Sequence, residues 1–196
     1  MTETSTIGQT IEDRRLDISS SVAMTMTMVS FSMLFATLML GYFSYRFTAD
    51  VWPPMGMQRI GLEIPTISTV LILLSSLTYF LFEGSYEAKG DKVKFYYFIT
   101  SALGIAFMGC QSVLWYSLKK HGVFVDSSVF TSMIYAFTWI HAAHVVGGLI
   151  ALICLVPTIR ETRQRRSSLL WVKNIGLYWH FLGIVWVMMY FSLFVY

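Results

Sequence analysis

Apolar residues fall in five blocks, at 22–45, 64–82, 95–118, 129–157 and 173–195, and the stretches between them carry most of the charge. Each block is close to or above the ~20 residues that an α-helix, rising about 1.5 Å per residue, needs to cross a bilayer core. No block shows the alternating polar and apolar residues of a barrel strand. The pattern predicts an all-α fold, a polytopic membrane protein of five transmembrane helices. Residues 1–21 form a polar N-terminal tail with Glu12, Asp13, Arg14, Arg15 and Asp17, and residues 22–196 form one transmembrane domain. The tail has no apolar core leading to a small-residue cleavage site, so it is not read as a signal peptide.

The breaks have chemical causes. Pro53 and Pro54 cannot continue a helix, and the neighbouring Trp52 suits a headgroup-level anchor. Pro65 falls in the first turn of the second block, where its missing N–H costs nothing. Lys and Arg total ten in the tail and in the second and fourth loops, against four in the first and third loops and the C-terminus. The positive-inside rule then puts the N-terminus in the cytoplasm and the C-terminus in the periplasm, an arrangement that five spans permit.

Composition agrees with this reading. Of 196 residues, 56% are hydrophobic and 13% charged, against about a quarter charged in ordinary soluble domains. The net charge of +3 sits in the loops and is explained by topology, so no nucleic-acid partner is expected. Cys110 and Cys154 are far apart inside predicted spans, without ligand spacing, and are read as small buried hydrophobes. Met24, Met26, Met28, Met33 and Met39 are read as helix filling rather than a soft-metal path.

Candidate chemistry centres on histidine. His141 and His144 lie about 60° apart on one helix face, and His180 lies in the last span. Imidazoles in hydrocarbon are costly and should face protein. His180 is placed about 10 Å deep and His144 about 20 Å deep from the same end, which separates them as ligands of one metal. The expectation is therefore no catalytic, cofactor or metal site in the chain, with the imidazoles bonding to neighbouring helices. Gln111 is a lone amide in the third span. Ser68, Thr69, Ser75, Ser76 and Thr78 supply hydroxyls to the second. Small residues at Ala102, Ala106 and Cys110, and at Ala143, Gly147 and Ala151, predict two seams of close helix approach. No span interior holds an acidic or basic residue away from its ends, which argues against a proton path. A haem-binding membrane cytochrome and a small transporter or channel remain as readings from other classes.

Three ordered motifs carry a resemblance. The first is Trp52-Pro53-Pro54, followed by Pro65 and Ser75-Ser76-Leu77-Thr78. The second is Gly109-Cys110-Gln111, Trp115, Leu118 and Gly122, leading into the helix from Thr138 through His141 and His144 to Gly147. The third is Tyr178-Trp179-His180-Phe181 with Val185-Trp186. From the first span to its end the chain resembles subunit III of the haem-copper oxidases, in the short five-helix bacterial form. The resemblance implies an accessory subunit of the bacterial inner membrane, packed on subunit I. It further implies contact with subunit II, and allows a small subunit IV and a respiratory supercomplex. Bound phospholipid is implied here, with haem and copper held in the partner subunits. The usual enzyme passes electrons from cytochrome c to dioxygen while pumping protons. A quinol oxidase, or a subunit-III-like partner of a nitric oxide reductase, is the alternative. His141, His144, Gly147, His180, Trp179, Gln111, Trp52 and Pro53 are the expected structural or interaction residues. Thr27, Leu114 and Gly183 stand where the family often has carboxylates, so a direct role in proton handling is in doubt.

Overall fold

The structure is a computed structural model that describes residues 2–49, 61–126, 128–160 and 166–195. Trp52 and Pro53 lie outside the described residues. Helix α1 runs over Thr2–Thr48, α2 over Glu63–Glu87, α3 over Val93–Lys120 and α4 over Val129–Cys154. A short α5, Val156–Arg160, continues α4 after a turn at Leu155, and α6 runs over Arg166–Tyr190. A π-helical turn, Phe191–Val195, extends α6. Among the described residues, five helices are long and apolar enough to span a membrane: Ile18–Thr48, Glu63–Glu87, Val93–Lys120, Val129–Ile159 and Ser167–Val195.

Two differences from the sequence expectation have local causes. Helix α1 has 47 residues and passes from the polar tail into the span without a break, since no proline precedes Pro53. The last span begins at Ser167 rather than near 173, because Lys173 and Asn174 are held inside the helix. Lys173 pairs with Glu87 at 3.4 Å and the Asn174 amide donates to Ser20 Oγ at 3.1 Å.

The helix ends follow capping rules. Ser128 is extended and its hydroxyl accepts from the Thr131 N–H at 3.1 Å, capping α4. Helix α3 ends with Gly122 at φ 73°, and the N–H groups of Gly122 and Val123 return to the carbonyls of Lys119 and Leu118. This is a Schellman closure with glycine where the left-handed conformation is required. Helix α2 closes the same way, with Lys89 and Gly90 returning to Tyr86 and Ser85, but it puts a lysine at φ 54°. Pro157 has no N–H to continue the α4 ladder, and the chain tightens at Leu155, whose N–H reaches Leu152.

Helix α6 is the centre. It packs against α1, α2 and α4, while α3 joins α2 to α4. In its span 39% of the most apolar window is buried, against 11% in that of α1. The core that results is aromatic: Tyr79 and Phe82 from α2, Phe107 from α3, Phe137 from α4, and Trp179 and Trp186 from α6. Because lipid is as apolar as these side chains, packing and interhelical hydrogen bonds hold the helices together.

Candidate functional site

Trp179 is wholly buried where four helices meet. Its indole N–H donates to Ser75 Oγ on α2 at 3.1 Å, and Ser75 Oγ donates to the Thr100 carbonyl on α3 at 3.0 Å. The ring itself occupies space that two glycines leave open. A Cβ at Gly104 of α3 or at Gly148 of α4 would stand 2.9 Å from the indole.

Around this joint, α2 and α6 are laced antiparallel. Thr66 and Tyr190 hydroxyls are 2.8 Å apart, and Trp186 Nε1 donates to Thr69 Oγ1 at 3.0 Å. Ser76 Oγ and His180 Nδ1 are 2.5 Å apart, and the Tyr79 hydroxyl donates to the Val172 carbonyl at 2.8 Å. The hydroxyls of α2 therefore divide. Thr69, Ser75 and Ser76 reach α6, Thr78 meets Thr100 Oγ1 of α3 at 2.9 Å, and Ser68 bonds back to Ile64.

The three intramembrane histidines face three different neighbours. His141 is fully buried, and its Nε2–H donates to the Leu182 carbonyl of α6 at 3.1 Å. The rings of Trp186 and Phe107 stand 5.2 and 5.8 Å from its own. His144 turns to α1, where the Phe31 ring lies 4.3 Å away edge-on, while its Nδ1–H donates to the Ile140 carbonyl of its own helix at 2.6 Å. The Tyr178 hydroxyl donates to the His144 carbonyl at 3.0 Å. His180 faces α2 through Ser76.

These contacts correct the depth argument. Tyr178 and Leu182 lie beside His144 and His141, so His180 sits at nearly the same level rather than about 10 Å away. The last helix begins at Arg166, earlier than the block pattern predicts, which sets His180 deeper. Direction, not depth, keeps the histidines apart. Among the described residues no group of three or more His, Cys, Asp or Glu is placed to hold a metal.

The small-residue seams also shift. Ala102 and Ala106 are exposed, and the buried line of α3 is Thr100, Gly104, Phe107, Gln111, Leu114 and Leu118. On α4, Ala143 and Gly147 are exposed, and a Cβ at Gly147 would meet nothing nearer than the Tyr178 hydroxyl at 3.7 Å. The close approach is at Gly148, one residue on. Gln111 lies in the α3 core, and Trp115 on the same helix donates to Thr138 Oγ1 of α4 at 3.1 Å. Thr27 bonds to the Ala23 carbonyl of its own helix, Leu114 joins an apolar cluster with Leu118 and Tyr135, and Gly183 lies against α2 near Ser76. Sequence reading missed Gly104 and Gly148. It also ended the second span at Phe82, leaving Glu83 to the loop, whereas α2 continues and sets the Glu83 carboxylate against α6 at Gly176.

The sequence model of the family cytochrome c oxidase subunit III matches residues 5–196. The chain belongs to that family. Similar curated proteins carry the same name. A probable cytochrome c oxidase subunit 3 of Nocardia farcinica is 33% identical, over 79% of this chain and 77% of the relative. One from Mycobacterium leprae is 32% identical, over 87% and 84%. The cytochrome c oxidase subunit 3 of Synechocystis is 26% identical, over 83% and 70%. As a haem-copper oxidase subunit III, the chain is a multi-pass membrane protein of a family that associates with other oxidase subunits. Ser75, Ser76, Trp179 and His180 make contacts between helices in this subunit.

Proposed function

We propose that this chain is the accessory, non-catalytic subunit III of a bacterial cytochrome c oxidase. Its role is to stabilise subunit I and to hold phospholipid against it, while the partner subunits reduce dioxygen to water and pump protons. Subunit II and a small subunit IV complete the set of expected contacts. The observation that carries this reading is the use of polar side chains. Ser75, Ser76, His141, Trp179 and His180 are engaged by neighbouring helices, which supports a packing role for them. The relatives' names favour cytochrome c over quinol as electron donor.

The test is co-purification. A tagged chain extracted in mild detergent is expected to bring down a large haem-containing subunit, and the chain expressed alone is expected to give no Soret band. Recovery of the intact chain without that subunit overturns the assignment, and a Soret band of the chain alone supports the membrane-cytochrome reading instead. His141→Ala and His180→Ala are expected to lower recovery of this subunit with the complex and to leave the haem spectrum of subunit I in place. A variant complex that kept this subunit but lost that spectrum would count against an accessory role.

A further inference from the structure

Two fully buried polar side chains in the α3–α4 interface are left with unmet hydrogen-bonding atoms. Neither the amide nitrogen nor the amide oxygen of Gln111 has a partner, and neither has Nδ1 of His141. The two residues share one layer. Phe107, one turn before Gln111, packs its ring 5.8 Å from that of His141, and Trp115, one turn after Gln111, donates to Thr138, one turn before His141. These cross-helix contacts bracket the amide at the level of the imidazole.

The chemistry of the layer defines what is missing. His141 Nε2 faces a carbonyl oxygen at 3.1 Å and therefore carries the proton. In the neutral ring, Nδ1 is then an acceptor and calls for a donor. The Gln111 amide calls for both, whichever way it is turned. Buried polar groups without partners are costly in an apolar surrounding, and an ordered water making about three hydrogen bonds is the usual remedy. Both side chains are 0% exposed, so neither a lipid nor a side chain of another subunit can reach them. A small polar ligand enclosed by this chain would meet both needs.

We infer that an internal water joins His141 Nδ1 to the Gln111 amide, forming a hydrogen-bonded chain that runs from α3 through α4 to the Leu182 carbonyl of α6. The water donates one proton to Nδ1 and bonds to one end of the amide, and a second water meets the other end. Gln111 is thereby a water-binding residue and His141 a relay between three helices. The site depends on no other subunit.

A map of the assembled oxidase, at a resolution that shows ordered water, tests this. The expected result is density within about 2.7–3.2 Å of both His141 Nδ1 and the Gln111 amide. A direct Gln111–His141 hydrogen bond overturns the inference, as does a dry interface in a map that shows other buried waters. A Gln111→Leu complex is expected to lose this density and keep the fold, and persistence of the density on Nδ1 there would remove Gln111 from the site. If that variant does not assemble, the unmodified complex alone decides.

Discussion

At the scale of single residues, the decisive feature is an indole between two glycines. Alanine favours a helix over glycine by about 0.5–1 kcal/mol. At Gly104 and Gly148 that gain meets a contact of 2.9 Å with the Trp179 ring, which Ser75 holds by its N–H. The ring has nowhere to retreat, so overpacking wins. Gly104→Ala and Gly148→Ala are each expected to destabilise the purified subunit by about 1–3 kcal/mol, read as a lower melting temperature in mild detergent. Gly109→Ala is the internal control: a Cβ there meets nothing within 4 Å, and the melting temperature should hold or rise. A fall at Gly109 equal to that at Gly148 would show that the effect is not the indole contact. Pattern alone does not separate Gly148, which is against Trp179, from Gly147, which is not. In lipid both faces of a helix are apolar, so hydrophobicity marks no inner stripe, and a run of small residues fits two adjacent faces equally well. The polar residues were the better guide. Ser75, Thr100, Gln111, Thr138 and His141 are all buried, and a helical wheel drawn through them would have put Gly104 and Gly148 inside.

Elements were more legible than faces. Five spans follow from block length alone. Boundaries failed where a charged residue found a partner across the bundle. Lys173 and Glu87 lie inside their helices and pair across the bundle, which no single-segment pattern reveals. The loop between α2 and α3 shows a further conflict between sequence and backbone. Its Schellman closure puts Lys89 at φ 54°, a left-handed conformation that costs a side-chain-bearing residue roughly 1–2 kcal/mol. The equivalent place after α3 is Gly122. Lys89→Gly is expected to stabilise the protein by about 1 kcal/mol, after allowing for the greater freedom of glycine in the unfolded chain. Gly122→Ala should lose about as much, although there is open space for the methyl group. Thermal unfolding of the two variants side by side checks both signs. If Lys89→Gly lowered the melting temperature, the side chain of Lys89 would be contributing more than its backbone costs.

For the whole molecule, the geometry sorts the loops by end before any rule about charge is applied. The Ser20–Asn174 and Glu87–Lys173 contacts gather the cytoplasm-assigned part of α1, the end of α2 and the start of α6 at one end of the bundle. At the other end, the Tyr42 hydroxyl donates to the Ser192 carbonyl at 2.7 Å and Thr66 meets Tyr190. The first end is also the one to which the tail and the second and fourth loops belong, with ten of the Lys and Arg residues. The excess at one end, and not the total, is what orients a membrane protein, so this end should lie in the cytoplasm. Lys89 and His121 are exposed on opposite ends and serve as reporters. With Cys110 and Cys154 replaced by alanine, Lys89→Cys should react with a membrane-impermeant maleimide only when the cytoplasmic face is opened, and His121→Cys should react from the periplasmic side. The reverse pattern would invert the bundle and put the Glu83, Glu87 and Lys173 cluster on the outer face. Reaction of both from one side would break the helix order itself, since α3 alone separates the two positions and must cross the membrane between them.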